Sequence, residues 1–127
     1  MFKKKIIIKN QKELFNHFKD NTLRIKKNSK LTFLNPLSLG YNIVFEGNII
    51  LGKNNKIGPN CILKNTKLGD NNSVKMSSLI ENSKISNKNF IGPFAYIREN
   101  TMIKNKCIVG AYVEVTRSII QDKTYIS

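Results

Sequence analysis

The feature that most constrains this chain is an apolar residue at every sixth position. The frame runs Phe33, Leu39, Phe45, Leu51, Ile57, Leu63, then slips by one residue to Leu68, Val74, Ile80. It slips again to Ile85, Ile91, Ile97, Ile103, Val109, Val115, and after a last slip ends on Ile120 and Ile126. All seventeen positions are apolar although only 40% of the chain is, so composition does not account for the frame. A helix would repeat apolar residues at spacings of three and four, and a hairpin array would show turn signals such as Asn-Gly or Asp-Gly, which are absent. A period of six fits a hexapeptide parallel β-helix, with one short strand and one corner per hexapeptide and three hexapeptides per coil. The slips at 63–68, 80–85 and 115–120 each imply a coil short by one residue at a corner, on a face the frame leaves open.

Two further regularities support the frame. Glycine often follows the apolar residue, as at Gly52, Gly58, Gly69, Gly92 and Gly110, where a residue without Cβ suits a tight corner. Four residues after the apolar position the side chain is often small: Cys61, Ser78, Ala95, Thr101, Cys107, Val113. Both cysteines therefore read as reduced, buried fillers on different coils. No Cys-x-x-Cys or His/Cys cluster suggests a metal.

The expected architecture is all-β: a left-handed parallel β-helix of about five coils over residues 31–127. Residues 1–30 form a basic cap segment. Within it, Leu14, Phe15 and Phe18 are spaced for one face of a short amphipathic helix over 10–20 that covers the end of the solenoid. His17, the one histidine of the chain, sits on that helix and reads as a packing or surface residue.

The formal charge is +14, from 22 Lys and Arg against 8 Asp and Glu. Such a balance suits polyanions. Lys, Asn and Ile dominate the whole chain, however, and from Lys53 onward the lysines are spread singly and form no stripe. We therefore expect neither nucleic acid nor a membrane as partner. No apolar run reaches the length of a span, and the run Ile6-Ile7-Ile8 is too short for a signal-peptide core, which predicts a cytoplasmic protein.

Four stretches resemble a known family: Ile43-Val-Phe-Glu-Gly47, Ile57-Gly-Pro-Asn-Cys-Ile-Leu-Lys-Asn65, Ile91-Gly-Pro-Phe-Ala-Tyr-Ile-Arg98 and Val109-Gly-Ala-Tyr-Val-Glu-Val115. Residues 42–117 are similar to the C-terminal β-helix of the bifunctional N-acetylglucosamine-1-phosphate uridyltransferase / glucosamine-1-phosphate acetyltransferase family. The last two stretches carry the specificity. The resemblance implies a homotrimer in the amino-sugar nucleotide pathway. Its cleft between subunits would bind an amino-sugar phosphate or nucleotide sugar, with acetyl-CoA as co-substrate.

In that resemblance the phosphate-binding arginine falls on Arg98 and the glutamate near the amine on Glu114. The family's second phosphate ligand, a lysine, falls on Thr116. Arg117 follows it, but strand alternation points it to the opposite face. The general-base histidine would fall one position beyond Ser127 in an ungapped alignment, or on Asp122 in a gapped one. Substrate binding is thus expected at Arg98, Glu114, Thr116 and Arg117, with no catalytic residue. The alternatives are a non-catalytic trimeric scaffold, a sugar-nucleotide-binding module, or the β-helix of a sugar-phosphate nucleotidyltransferase.

Overall fold

The computed structural model describes residues 4–127; Met1, Phe2 and Lys3, the start of the basic segment, lie outside them. Two elements precede the coils, β1 (Lys5–Ile8) and α1 (Gln11–Phe18). The first coil is β2 (Arg24–Ile25), β3 (Lys30–Leu34) and β4 (Leu37–Leu39), and the second is β5 (Val44–Glu46), β6 (Asn48–Leu51) and β7 (Asn55–Ile57). The third is β8 (Ile62–Lys64), β9 (Lys67–Leu68) and β10 (Ser73–Val74), and the fourth is β11 (Leu79–Glu81), β12 (Lys84–Ile85) and β13 (Phe90–Ile91). The fifth is β14 (Tyr96–Arg98), β15 (Met102–Ile103) and β16 (Ile108–Val109), and the sixth is β17 (Glu114–Thr116), β18 (Ile119–Ile120) and β19 (Tyr125–Ile126).

Equivalent strands of successive coils pair in parallel and build three faces. The first face is β2-β5-β8-β11-β14-β17, the second β3-β6-β9-β12-β15-β18, and the third β4-β7-β10-β13-β16-β19. The chain is a parallel β-solenoid of about six turns with one short helix, one turn more than the expected five. The added turn begins at β2, whose Arg24 and Ile25 pair with Val44 and Phe45. Ile25 lies eight residues before Phe33, out of reach of a six-residue count.

Of the seventeen frame positions, all but Leu39, Ile120 and Ile126 are buried, and those three pack against the core. The three slips fall at one edge of the prism, the corner from the first face to the second. Phe45 and Leu51 are six apart across it, whereas Leu63 and Leu68, Ile80 and Ile85, and Val115 and Ile120 are five apart. Each corner turns through a left-handed residue except that between β3 and β4, where the Asn35–Pro36 peptide bond is cis. Asn42, Asn60, Ser77, Phe94 and Tyr112 line the corner from the third face to the first; Asn54, Asn71, Lys88, Lys106 and Lys123 line that from the second to the third. The abundance of asparagine thus has a local cause, since its short polar side chain tolerates that conformation.

Gly92 has the left-handed backbone expected of a corner glycine (φ 89°), whereas others act differently. Gly58 and Gly69 have no left-handed backbone. A Cβ on Gly58 would lie 2.8 Å from the Met76 nitrogen, and one on Gly69 would lie 2.5 Å from the Ser86 carbonyl oxygen. They are needed because the next coil passes too close for a side chain.

The interior also carries polar groups. Asn55, Asn72 and Asn89 stack inside the corner from the second face to the third. Each amide nitrogen donates to a carbonyl of the following coil, to Gly69 at 2.8 Å, Ser86 at 2.8 Å and Lys104 at 2.7 Å. Each Oδ1 accepts the backbone N–H of the residue stacked below it, ending at Cys107 (2.8 Å). Among the described residues no buried side-chain nitrogen or oxygen lacks a partner, as buried polar groups require. Both cysteines are free and buried, and burial pushes the Cys61 thiol up from its ordinary value.

The N-terminal end is closed three ways. β1 pairs antiparallel with β3 and covers the edge of the second face. Asn10 caps α1 by accepting the Glu13 N–H at 2.9 Å, which satisfies one orphan donor of the first turn, and the Glu13 carboxylate reaches back to accept the Lys9 N–H at 2.8 Å, which ties the helix to the end of β1. Gln11 then acts as a strand substitute above β2: its amide accepts the Ile25 N–H (3.0 Å) and donates to the Leu23 carbonyl (2.7 Å). The helix buries Leu14 and partly buries Phe18, but Phe15 faces solvent, so the expected three-residue face is two residues wide. His17 is exposed and lies edge-on to the Phe18 and Phe33 rings.

Candidate functional site

The outer surface of the first face carries the charge-bearing cluster. Strand alternation sends Ile97 and Val115 inward, so their neighbours Tyr96, Arg98, Glu114 and Thr116 point out. The register sets Tyr96 against Glu114 and Arg98 against Thr116. Arg98 Nε donates to Glu114 Oε2 at 2.7 Å, and its NH1 donates to Glu99 Oε1 at 2.9 Å. The guanidinium also lies over the Tyr96 ring, 5.2 Å from its centroid. Pairing with Glu114 holds the Arg98 guanidinium above its ordinary value.

Arg117 does not point away from this cluster as alternation predicts. It stands past the end of β17 in a left-handed corner (φ 49°), which swings NH2 to within 3.1 Å of Glu99 Oε2. Glu99 therefore bridges two guanidiniums. It can do so because the corner after β14 is a long one, with Ile97 and Ile103 six apart where the corners above and below are five. Its added residue leaves Glu99 and Asn100 consecutive in left-handed conformation (φ 57° and 61°). Strain of that kind costs on the order of 1–3 kcal/mol per residue and gathers at functional sites.

Sequence reasoning missed Glu99 and Glu81. Tyr96 donates its hydroxyl hydrogen to Glu81 Oε1 at 2.6 Å, which holds the Tyr96 hydroxyl above its ordinary pKa. Glu81 sits seventeen residues before Arg98, one short coil away, so the coil period could have found it. Thr116 lies beside Arg98 in register but brings no charge. Asp122 belongs to a different corner. Its Oδ1 accepts the Asn105 N–H at 2.9 Å, and Asn105, Asn87 and Asp70 pass the same bond up the solenoid to the Lys53 N–H.

An arginine–carboxylate cluster on one face of a hexapeptide-repeat parallel β-solenoid defines the class, a β-helix domain. The profile of the GMPPB C-terminal domain matches residues 17–127, and the chain belongs to that family. It is 43% identical to the bifunctional protein GlmU of Ruthia magnifica subsp. Calyptogena magnifica over 76% of its own length and 21% of that protein's. It is 46% identical to that of Legionella pneumophila strain Corby over 68% of its length and 19% of the relative's. For Marinobacter nauticus the identity is 35% over 82% and 23%. The chain thus spans about a fifth of the length of these curated relatives, and it corresponds to their C-terminal β-helix domain.

Proposed function

We propose that the chain binds an amino-sugar phosphate or nucleotide sugar on its first face, as an acetyltransferase-type β-helix, and that its own residues do not carry out the transfer. The observation behind this reading is the convergence of Arg98 and Arg117 on Glu99. A carboxylate held between two guanidiniums marks a position for which a phosphate dianion competes, and a guanidinium fork matches phosphate geometry. Arg117, from its corner, then serves in place of the lysine that Thr116 replaces. Glu114, released from Arg98, is the partner for the sugar's ammonium.

Acetyl transfer from acetyl-CoA to that amine needs a base within hydrogen-bond reach, because an ammonium is not a nucleophile. His17 is on α1 at the first coil, whereas Arg98 is in the fifth, and Asp122 is engaged on another corner. The same reading takes the protein as a cytoplasmic homotrimer with the site at a subunit cleft, which sedimentation tests.

Titration calorimetry with glucosamine-1-phosphate tests the site. Arg98→Ala should abolish measurable binding, since each charge-assisted bond contributes roughly 1.5–3 kcal/mol. Arg117→Ala should weaken binding at least about tenfold on the same grounds, and Glu99→Gln, by removing the competing carboxylate, should tighten it. Thiol release from acetyl-CoA should not exceed a buffer control. Binding indifferent to both arginines overturns the reading. It would favour the second one, a non-catalytic scaffold or a nucleotidyltransferase β-helix in which these charges pair only with each other, as Glu99 and Glu114 permit.

A further inference from the structure

The third face changes character halfway down. Its outward column reads Ser38, Lys56 and Ser73 in the first three coils, then Phe90, Ile108 and Tyr125, which stack directly on one another. The latter three are 53%, 40% and 68% exposed. On one flank, the left-handed corner presents Lys88, Lys106 and Lys123, one per coil, each two residues before an exposed apolar tip. On the other flank Phe94 and Tyr112 stack face to face, with centroids 5.1 Å apart and 1° between planes, and are 43% and 79% exposed. None of the eight acids is on this face. Three are on the first face, Glu99 is at that face's corner, and Glu13 and Asp20 are in the N-terminal segment; Asp70 and Asp122 sit at the lysine corner, where Asp122 shares a groove with Lys88, Lys106 and Lys123, so that three lysines there face one carboxylate.

We propose that this half of the third face docks flat on an anionic lipid bilayer. The tips of Phe90, Ile108 and Tyr125 enter the headgroup boundary, and Lys88, Lys106 and Lys123 meet lipid phosphates. A sheet face of a solenoid is planar, so all three rows reach a plane together. Stable attachment to a membrane takes two signals, apolar insertion and basic charge, and both occur here side by side. A single strand of nucleic acid fits less well. It needs a free ring face for each base, whereas Phe94 and Tyr112 cover one face of each other and Ile108 offers none. A second copy seated on this face, as a trimer would allow, is the competing occupant, and the vesicle experiment separates it from a bilayer. Read as a linear sequence the lysines form no stripe, which argued against a membrane; the coil period stacks three of them at one corner.

Co-sedimentation of the full chain with vesicles tests this. It should bind vesicles of equimolar phosphatidylcholine and phosphatidylglycerol and not those of phosphatidylcholine alone. Lys88→Glu with Lys106→Glu should cut binding well over tenfold, as each lysine near an anionic surface contributes roughly fivefold. The same charge change on the second face, Lys67→Glu with Lys84→Glu, should cut it much less. In Phe90→Trp, fluorescence should shift to the blue on anionic vesicles and be quenched by brominated lipid. Tyr125→Ser, at the surface of the last strand, should weaken binding with an unchanged circular dichroism spectrum. Absence of binding, equal loss from both lysine pairs, or no blue shift overturns the proposal. So does a poly(U) strand or a second copy engaging Lys88 and Phe90 while vesicles do not bind.

Discussion

The first three coils and the last three share one backbone and differ in what they place on it. Along the corner from the third face to the first, Asn42, Asn60 and Ser77 give way to Phe94 and Tyr112, all in the same left-handed conformation. Along the next corner Asn54 and Asn71 give way to Lys88, Lys106 and Lys123. On the first face the Glu46–Lys64 pair is followed by Glu81, Arg98 and the doubly left-handed Glu99–Asn100. At these corners the upper half uses asparagine, which suits them, everywhere but Ser77. The lower half accepts residues that strain the backbone, and it holds both the arginine cluster and the aromatic face.

If the two halves are one cooperative tube, damage below must be felt above. Ile97 is fully buried beneath Arg98. Ile97→Asp places an unpaired charge in a narrow apolar core, and the several kcal/mol this costs is comparable with the whole stability of a domain, about 5–15 kcal/mol. We expect loss of the folded circular dichroism signal throughout the chain. A variant that keeps the upper coils folded would show two independent halves.

The buried asparagine column crosses the midline and gives a smaller, graded test. Asn72→Ala orphans the buried Asn89 N–H, at about 1–3 kcal/mol for a buried group left unpaired, while the Ser86 carbonyl keeps the Gly69 N–H. Asn87→Ala breaks the exposed ladder, where Asn87 accepts the Asp70 N–H, but water replaces the partner there. Chemical denaturation should show a clear loss for the first and little for the second.

Much of this was legible in the sequence, and the missing parts have physical reasons. Core positions such as Phe45, Ile80 and Val109 are fixed by a period, and a period survives in one dimension. The β2 strand was hidden because the segment between Ile25 and Phe33 is two residues longer than the frame. The lysine corner was hidden because coils of seventeen and eighteen residues alternate irregularly. Arg98 and Glu114 were visible by resemblance. Their ion pair, and the turn that brings Arg117 to Glu99, depend on a left-handed corner that strand alternation does not anticipate.

Corner strain can be weighed directly. Lys106 is exposed and left-handed (φ 57°), so Lys106→Asn should stabilise the protein by up to about 1 kcal/mol, the scale of the left-handed penalty for residues other than glycine and asparagine. Tyr112→Asn relieves the same strain but loses the stack on Phe94, about 0.5–1.5 kcal/mol, and should be nearly neutral. Thermal melts that rank Tyr112→Asn above Lys106→Asn would show that the aromatic pair contributes nothing to the fold.

The smallest effect is a titration on the first face, within the lower half. Tyr96 in the fifth coil donates to Glu81 in the fourth. Removing the phenolic proton breaks that bond and sets two anions together, so the folded pKa is raised, the neighbouring Arg98 charge opposing only in part. The linkage therefore runs in one direction. The bond contributes below the ordinary tyrosine range, near 10, and its contribution is lost as pH rises through the folded value. Of the four tyrosines, Tyr96 should ionise last in an absorbance titration, identified by subtraction of Tyr96→Phe. Glu81→Gln should lower its pKa toward the ordinary value, while Arg98→Ala, by removing the guanidinium over the ring, should raise it further. If both substitutions shift it the same way, the pairing with Glu81 is not what sets it.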